Sequence, residues 1–207
     1  KHESQTFENV TKARTAAMGA PNMKEKAAAE IARNNAVEQE KLAREAKIAA
    51  DESAAEAKRL SGDKNLVFTL HGDGELQEGQ VWEAALYAGS KNIDNIIATI
   101  DANGQQIDGS TEEVMAMGDI GLKFEAFGWQ VIQITDGNDL SKVIDGLTSG
   151  IKHSGKGKPI CIVMKTEMGA GVDFMSGTHK WHGIAPNDEQ LENALSQLPE
   201  TLGDYPL

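Results

Sequence analysis

Asn65-Leu66-Val67-Phe68-Thr69-Leu70-His71-Gly72-Asp73-Gly74-Glu75-Leu76-Gln77-Glu78-Gly79-Gln80-Val81-Trp82-Glu83-Ala84 carries an apolar run into a helical pattern through a carboxylate flanked by two glycines. The β-branched and aromatic residues up to His71 predict a buried strand over 66–71. From Gly79 the periodicity changes, and Trp82, Ala85 and Leu86 fall on one face of a helix expected over 79–91. Asp73 therefore stands at the carboxyl end of a strand, with glycine N–H groups close to a helix N-terminus. Such a junction suits a cation together with the anion it neutralises, because glycine lets the backbone approach and the first N–H groups of a helix lack intrahelical partners. By itself, Gly-Asp-Gly is more often an ordinary turn.

Downstream the same alternation repeats. Strands are expected over 66–71, 95–101, 129–134 and 159–165, with helices over 79–91, 111–127, 139–152 and 188–197. Strands separated by helices imply crossover connections and a mostly parallel sheet with helices on both faces, an α/β fold. The near-continuous apolar texture of Ile96-Ile97-Ala98-Thr99-Ile100 and of Ile160 to Met164 supports burial on both sides. Trp82, Trp129 and Trp181 read as packing residues. Upstream, residues 1–60 form a charged, Ala-rich segment with high helix propensity. Its large apolar residues are too unevenly spaced for a coiled-coil seam, so the expectation is a largely solvated helical arm at 1–60 before an α/β domain at 61–207.

Composition narrows the function classes. The chain has 207 residues and a formal net charge of -12, and no arginine follows Arg59. An acidic domain without arginine is unsuited to nucleic acid, and a diphosphate bound here would rely on a metal and backbone N–H groups. No apolar run reaches membrane-spanning length, which makes a cytoplasmic chain without membrane contact the expectation. The single cysteine, Cys161, lies within an apolar strand and reads as a buried structural thiol.

In a parallel sheet, ligands bind beyond the carboxyl ends of the strands. Asp73 follows the first strand, Asn103 the second, and a glycine-rich loop from Thr166 to Asn187 the fourth. A hard anionic oxygen from Asp73 and a neutral one from Asn103 suit Mg2+ or Ca2+ better than a soft-ligand metal. An isolated Asn-Gly is otherwise a common turn.

Gly72-Asp73-Gly74 followed by Asn103, 30 residues after Asp73, resembles the thiamine diphosphate motif. Four words carry a closer resemblance to transketolase. They are Gly-Asp-Gly-Glu-Leu-Gln-Glu-Gly-Gln-Val-Trp-Glu-Ala from Gly72, Asp-Ala-Asn-Gly-Gln-Gln-Ile-Asp-Gly from Asp101, Lys165 to Gly171, and Gly177 to Gly183. The resemblance, to the N-terminal cofactor-binding subunit or domain shortened at its front, implies thiamine diphosphate and Mg2+ as cofactors. It places Asp73 and Asn103 on the metal by side-chain oxygens and Gln105 by its backbone carbonyl. Gly72, Gly74, His179 and His182 would contact the cofactor, Gly74 giving its N–H to the diphosphate. His182, Glu78 and Glu83 would serve the catalytic centre, the two glutamates at a dimer interface near the cofactor.

By the same resemblance, the activity is transfer of a two-carbon ketol unit between sugar phosphates. The glutamate and aromatic residues that hold the aminopyrimidine belong to a second domain in the family. A complementary C-terminal subunit, in a homo- or hetero-oligomer, is therefore expected. The alternatives are another thiamine diphosphate enzyme, such as deoxyxylulose-phosphate synthase or a dehydrogenase component, and a non-catalytic interaction module.

Overall fold

The computed structural model describes residues 34–35, 54–58, 60–62 and 65–198. Most of the Ala-rich arm lies outside these residues. Its described part at 54–58 is helical, and Ala55 is 1% exposed with its carbonyl accepting from Asn95 Nδ2 at 3.0 Å. This stretch is thus packed onto the sheet domain by a buried side-chain amide.

Four parallel strands form the sheet in the order β1–β2–β6–β5: β1 Val67–Gly72, β2 Ile96–Ala102, β5 Gln130–Ile134 and β6 Ile160–Lys165. Between β2 and β5 a small antiparallel hairpin, β3 Gln105–Gln106 and β4 Gly109–Ser110, stands apart from the sheet. The long helices are α1 Gly79–Ser90, α4 Leu140–His153 and α5 Asp188–Gln197. Their N-termini are set by local chemistry where it counts: Asp139 caps α4 by accepting from Ser141 N, and Asn187 and Gln190 make a reciprocal capping box on α5.

Strand alternation divides the core into two layers. Ile96, Ala98 and Ile100 of β2 with Cys161 and Val163 of β6 face one side, where Val81, Ala85 and Ala88 of α1 and Phe124 pack on them. Ile97, Ile160, Ile162 and Ile134 face the other side, with Leu147 of α4 against them. Ile97, Ile100, Ile160 and Ile162 are fully buried, each worth about 1.5–3 kcal/mol of transfer free energy. α4 packs against β5 and β6, away from β1, where Phe68 and Leu70 are 50% and 60% exposed.

The single helix expected over 111–127 is two helices, α2 Thr111–Met115 and α3 Ile120–Ala126. Gly118 adopts a φ of 58°, a left-handed conformation that an α-helix cannot accommodate. Asp119 then restarts the helix by accepting from Leu122 N at 2.9 Å. Trp129 and Trp82 act as packing residues with one polar tie each, Trp129 Nε1 donating to Ala85 O and Trp82 Nε1 to Leu76 O, both at 2.7 Å.

Candidate functional site at the strand tips

The strand register brings the polar residues together. Gly72 pairs with Asp101 and Ala102 with Lys165, so β1, β2 and β6 end almost level. Asp73, Asn103 and Thr166 are each the first residue beyond their strand. Asp73 N still donates to Asp101 O at 3.0 Å, which carries the β1 ladder into the turn.

The turn after β1 is shaped by its glycines and by Glu75. Glu75 Oε2 accepts from Gly72 N at 2.7 Å, so that N–H is used within the turn. A Cβ on Gly74 would stand 2.7 Å from Gln106 Cβ, closer than two side chains can come. Glycine here lets the β1 turn touch the β3–β4 hairpin. Leu76, wholly buried, and the Trp82 bond to its carbonyl then hold the turn against α1. From the same turn Gln77 Nε2 donates to Met115 O at 2.8 Å and ties it to the end of α2.

Asp73 is only 4% exposed. Its Oδ2 accepts from Gly104 N at 2.7 Å, while its Oδ1 is buried with no hydrogen-bond partner among the described residues. Burial pushes the Asp73 carboxyl above its ordinary value; the N–H groups of Gly104 and Gly74 oppose that rise and the neighbouring Asp101 charge adds to it. A buried carboxylate oxygen without a donor is costly and is the atom a cation would satisfy.

Asn103 is fixed from both ends. Its Nδ2 donates to Asp101 Oδ2 at 3.0 Å and its Oδ1 accepts from Gln105 N at 2.8 Å. Asp73 and Asn103 therefore place one oxygen each on consecutive N–H groups, those of Gly104 and Gln105. Gly104 makes this possible with a φ of 73°, and its carbonyl accepts from Thr111 N at 3.0 Å. Beyond Asp101, Thr166 Oγ1 donates to Asp101 Oδ1 in a close contact. Three strand tips are thus joined through Asp73, Gly104, Asn103, Asp101 and Thr166.

The remaining expected residues lie outside this chain of bonds. Glu78 occupies the N-cap of α1 in extended conformation and is half-buried. Glu83 is exposed on α1; five residues separate the two, about 140° around the helix axis. His179 begins the single helical turn His179–Trp181 within the loop after β6, and its carbonyl accepts from His182 N at 2.9 Å. Both histidines are half-buried. The loop itself is built: Trp181 Nε1 donates to Phe174 O at 2.9 Å, the two rings meet edge to face at 5.3 Å, and Asp173 bonds Gln197 of α5. Sequence reasoning singled out Asp73, Asn103 and Gln105 but passed over Glu75, Asp101, Gly104 and Thr166. An acid two residues before Asn103 and a hydroxyl just past a strand end were the available signals.

Fold and site together define a parallel α/β domain that gathers hard oxygen donors at the carboxyl edge of its sheet, at the ends of adjacent strands. The chain belongs to the transketolase family: the family model for the transketolase thiamine diphosphate binding domain matches residues 4–201. It is 38% identical over 144 residues to one of the subunits of the apulose-4-phosphate transketolase of Actinobacillus succinogenes, a match covering 70% of this chain and 51% of that one. Against SqwG, a 6-deoxy-6-sulfo-D-fructose transketolase subunit of a Clostridium species, identity is 36% over 134 residues, with 65% and 48% covered. The chain spans about half the length of these two relatives. Among solved structures, the transketolase of Campylobacter jejuni superposes with a TM-score of 0.63 at 31% identity, over 72% of this chain and 23% of that one.

Proposed function

We propose that this chain is the cofactor-binding half of a transketolase, which transfers a two-carbon ketol unit between sugar phosphates with thiamine diphosphate and Mg2+. The observation that carries this reading is the buried Oδ1 of Asp73, without a hydrogen-bond partner among the described residues, on a carboxylate that shares the consecutive N–H groups of Gly104 and Gln105 with the Asn103 amide oxygen. Among the described residues no three His, Cys, Asp or Glu side chains gather as a metal-binding group. The donor set at the strand tips is instead one carboxylate with neutral oxygens, which suits Mg2+ completing its octahedron with phosphate oxygens and water.

In this reading Asp73 and Asn103 hold the metal by side-chain oxygens and Gln105 by its carbonyl. Gly74 would give its N–H to the diphosphate in exchange for the Asp73 carboxylate that it now faces, and the close fit to Gln106 explains why no side chain is tolerated there. His182 orients the diphosphate end, with His179 beside it on the same turn. Glu83, exposed on α1, would meet a partner protomer, with Glu78 at the N-cap of the same helix nearer the cofactor. Thiamine diphosphate, when bound, supplies the carbon nucleophile that no side chain of the protein offers.

The apulose-4-phosphate and 6-deoxy-6-sulfo-D-fructose relatives are each one subunit of a transketolase, which supports a complementary chain completing the site here too. No helix among the described residues is long and apolar enough to cross a membrane, which is compatible with work in the cytoplasm. The test is calorimetric titration of thiamine diphosphate into the chain with and without Mg2+, on the wild type and on Asp73→Ala. Binding that requires the metal and vanishes in the variant is the expected result. A flat wild-type trace in saturating Mg2+, both for the chain alone and with its complementary subunit present, overturns the reading.

A further inference from the structure

The bonds around Asn103 pose a question that its own oxygen does not answer: what keeps that amide from turning over? An asparagine amide offers an oxygen on one side and an NH2 on the other, of nearly the same shape. Only the oxygen can ligate a hard cation. Turning the amide by half a rotation would put two N–H donors where the oxygen stands and would abolish its use as a ligand. Two neighbours prevent this by complementary chemistry. Gln105 N can only donate, so it faces Asn103 Oδ1 at 2.8 Å. The Asp101 carboxylate accepts the Asn103 Nδ2 at 3.0 Å.

Asp101 is itself held. Its other oxygen accepts the Thr166 hydroxyl from the tip of β6, and Thr166 N lies 3.4 Å from Ala102 O. The carboxylate therefore has one oxygen assigned to each neighbour and cannot rotate without losing both bonds. Thr166 also opens the glycine-rich loop that carries His179 and His182, so the same carboxylate ties the amide to the start of that loop.

We propose that Asp101 is a positioning residue for the metal site, locked by Thr166 so that it holds the Asn103 amide with its oxygen presented as a ligand. Resting on the reading of Asp73 and Asn103 as metal donors, it assigns to Asp101 and Thr166 a role with no direct contact to the ion. Outer partners of this kind cost roughly 10–100-fold in metal affinity when removed.

The experiment measures the Mg2+-dependent affinity for thiamine diphosphate by calorimetry on the full chain and on Asp101→Asn, Thr166→Val and Thr166→Ser, with thermal unfolding in chelator alongside. Asp101→Asn removes both the charge and the exclusive acceptor, since its own amide can face Asn103 with a donor. Thr166→Val keeps every charge and removes only the lock. Both are expected to weaken binding about 10-fold or more, while Thr166→Ser restores wild-type affinity. Unfolding temperatures in chelator should stay close to wild type for the two Thr166 variants, so that a loss of affinity is not a loss of fold.

Thr166→Val binding within about twofold of wild type overturns the proposal, even if Asp101→Asn is weak, because the effect would then be charge alone. Weak binding by both Thr166 variants equally also overturns it, since the hydroxyl would not be the operative group. A wild type that binds no cofactor in Mg2+, alone or with its complementary subunit, instead overturns the proposed function, a separate outcome. If Asp101→Asn does not fold, the two Thr166 variants decide the matter alone.

Discussion

Replacing Asp73 with Asn separates the energetic cost of the buried charge from its use. In the wild type one oxygen is bonded to Gly104 N and the other lies buried without a donor among the described residues. Because burial raises the carboxyl above its ordinary 3.8, the folded chain holds that proton more tightly than the unfolded chain does. Below the unfolded value both states are protonated and the penalty is absent. As pH rises through the folded value the penalty develops, and it persists at neutral pH. Asn removes the charge and keeps an oxygen for Gly104 N. The hydrogen bond falls from the charge-assisted range of about 1.5–3 kcal/mol to about 0.5–1.5 kcal/mol. Desolvation is the largest influence on this carboxyl and outweighs the bonds that oppose it, so its relief exceeds this loss. The unsatisfied atom is a neutral NH2 instead of an anionic oxygen, and the Asp101 charge nearby favours it.

A net gain of about 1 kcal/mol corresponds to roughly 2–4 °C in Tm for a chain of this size. Ligand reverses the order. At about 100 times its Kd, Mg2+ with thiamine diphosphate stabilises the wild type by about 2.7 kcal/mol and leaves Asp73→Asn unmoved. Thermal unfolding at pH 7 in chelator, then in saturating metal and cofactor, should therefore show the variant above the wild type in the first buffer and below it in the second. A variant less stable than the wild type in chelator refutes the account of the buried charge. A variant that gains as much from ligand as the wild type does removes Asp73 from the metal.

Two further outcomes test the frame around the site. A Cβ on Gly89 would lie 1.8 Å from Phe127 O, a backbone atom that cannot swing aside, so Gly89→Ala should cost about 3 kcal/mol and lower the Tm by roughly 6–12 °C. Cys161 is fully buried and its burial pushes the thiol far above its ordinary value. The native chain should leave a disulfide-exchange reagent unreacted at pH 8 and release one equivalent of chromophore once unfolded in guanidinium, followed by absorbance.

The parts of this molecule legible along the chain are those governed by local periodicity. The runs at Val67–Leu70, Ile96–Ile100 and Ile160–Met164 alternate with helical patterns, and a buried parallel sheet is the arrangement that covers such strands on both sides. The helix expected over 188–197 forms at Asp188–Gln197, its start fixed by the capping box of Asn187 and Gln190. The break between α2 and α3 is not, since the backbone angle of Gly118 is a tertiary choice among several open to glycine. Asp73 and Asn103 can be singled out because their residue types and places at strand ends are sequence properties.

What only the folded chain decided is how those two oxygens are held. The level ending of three strands follows from pairing register, which brings Thr166 to Asp101 across 65 positions and Gly104 N to Asp73 across 31. Directional bonds of this kind depend on distances of about 3 Å between atoms far apart along the chain. Residue order specifies which donors and acceptors exist; the packing of β1, β2 and β6 into one sheet specifies which of them meet.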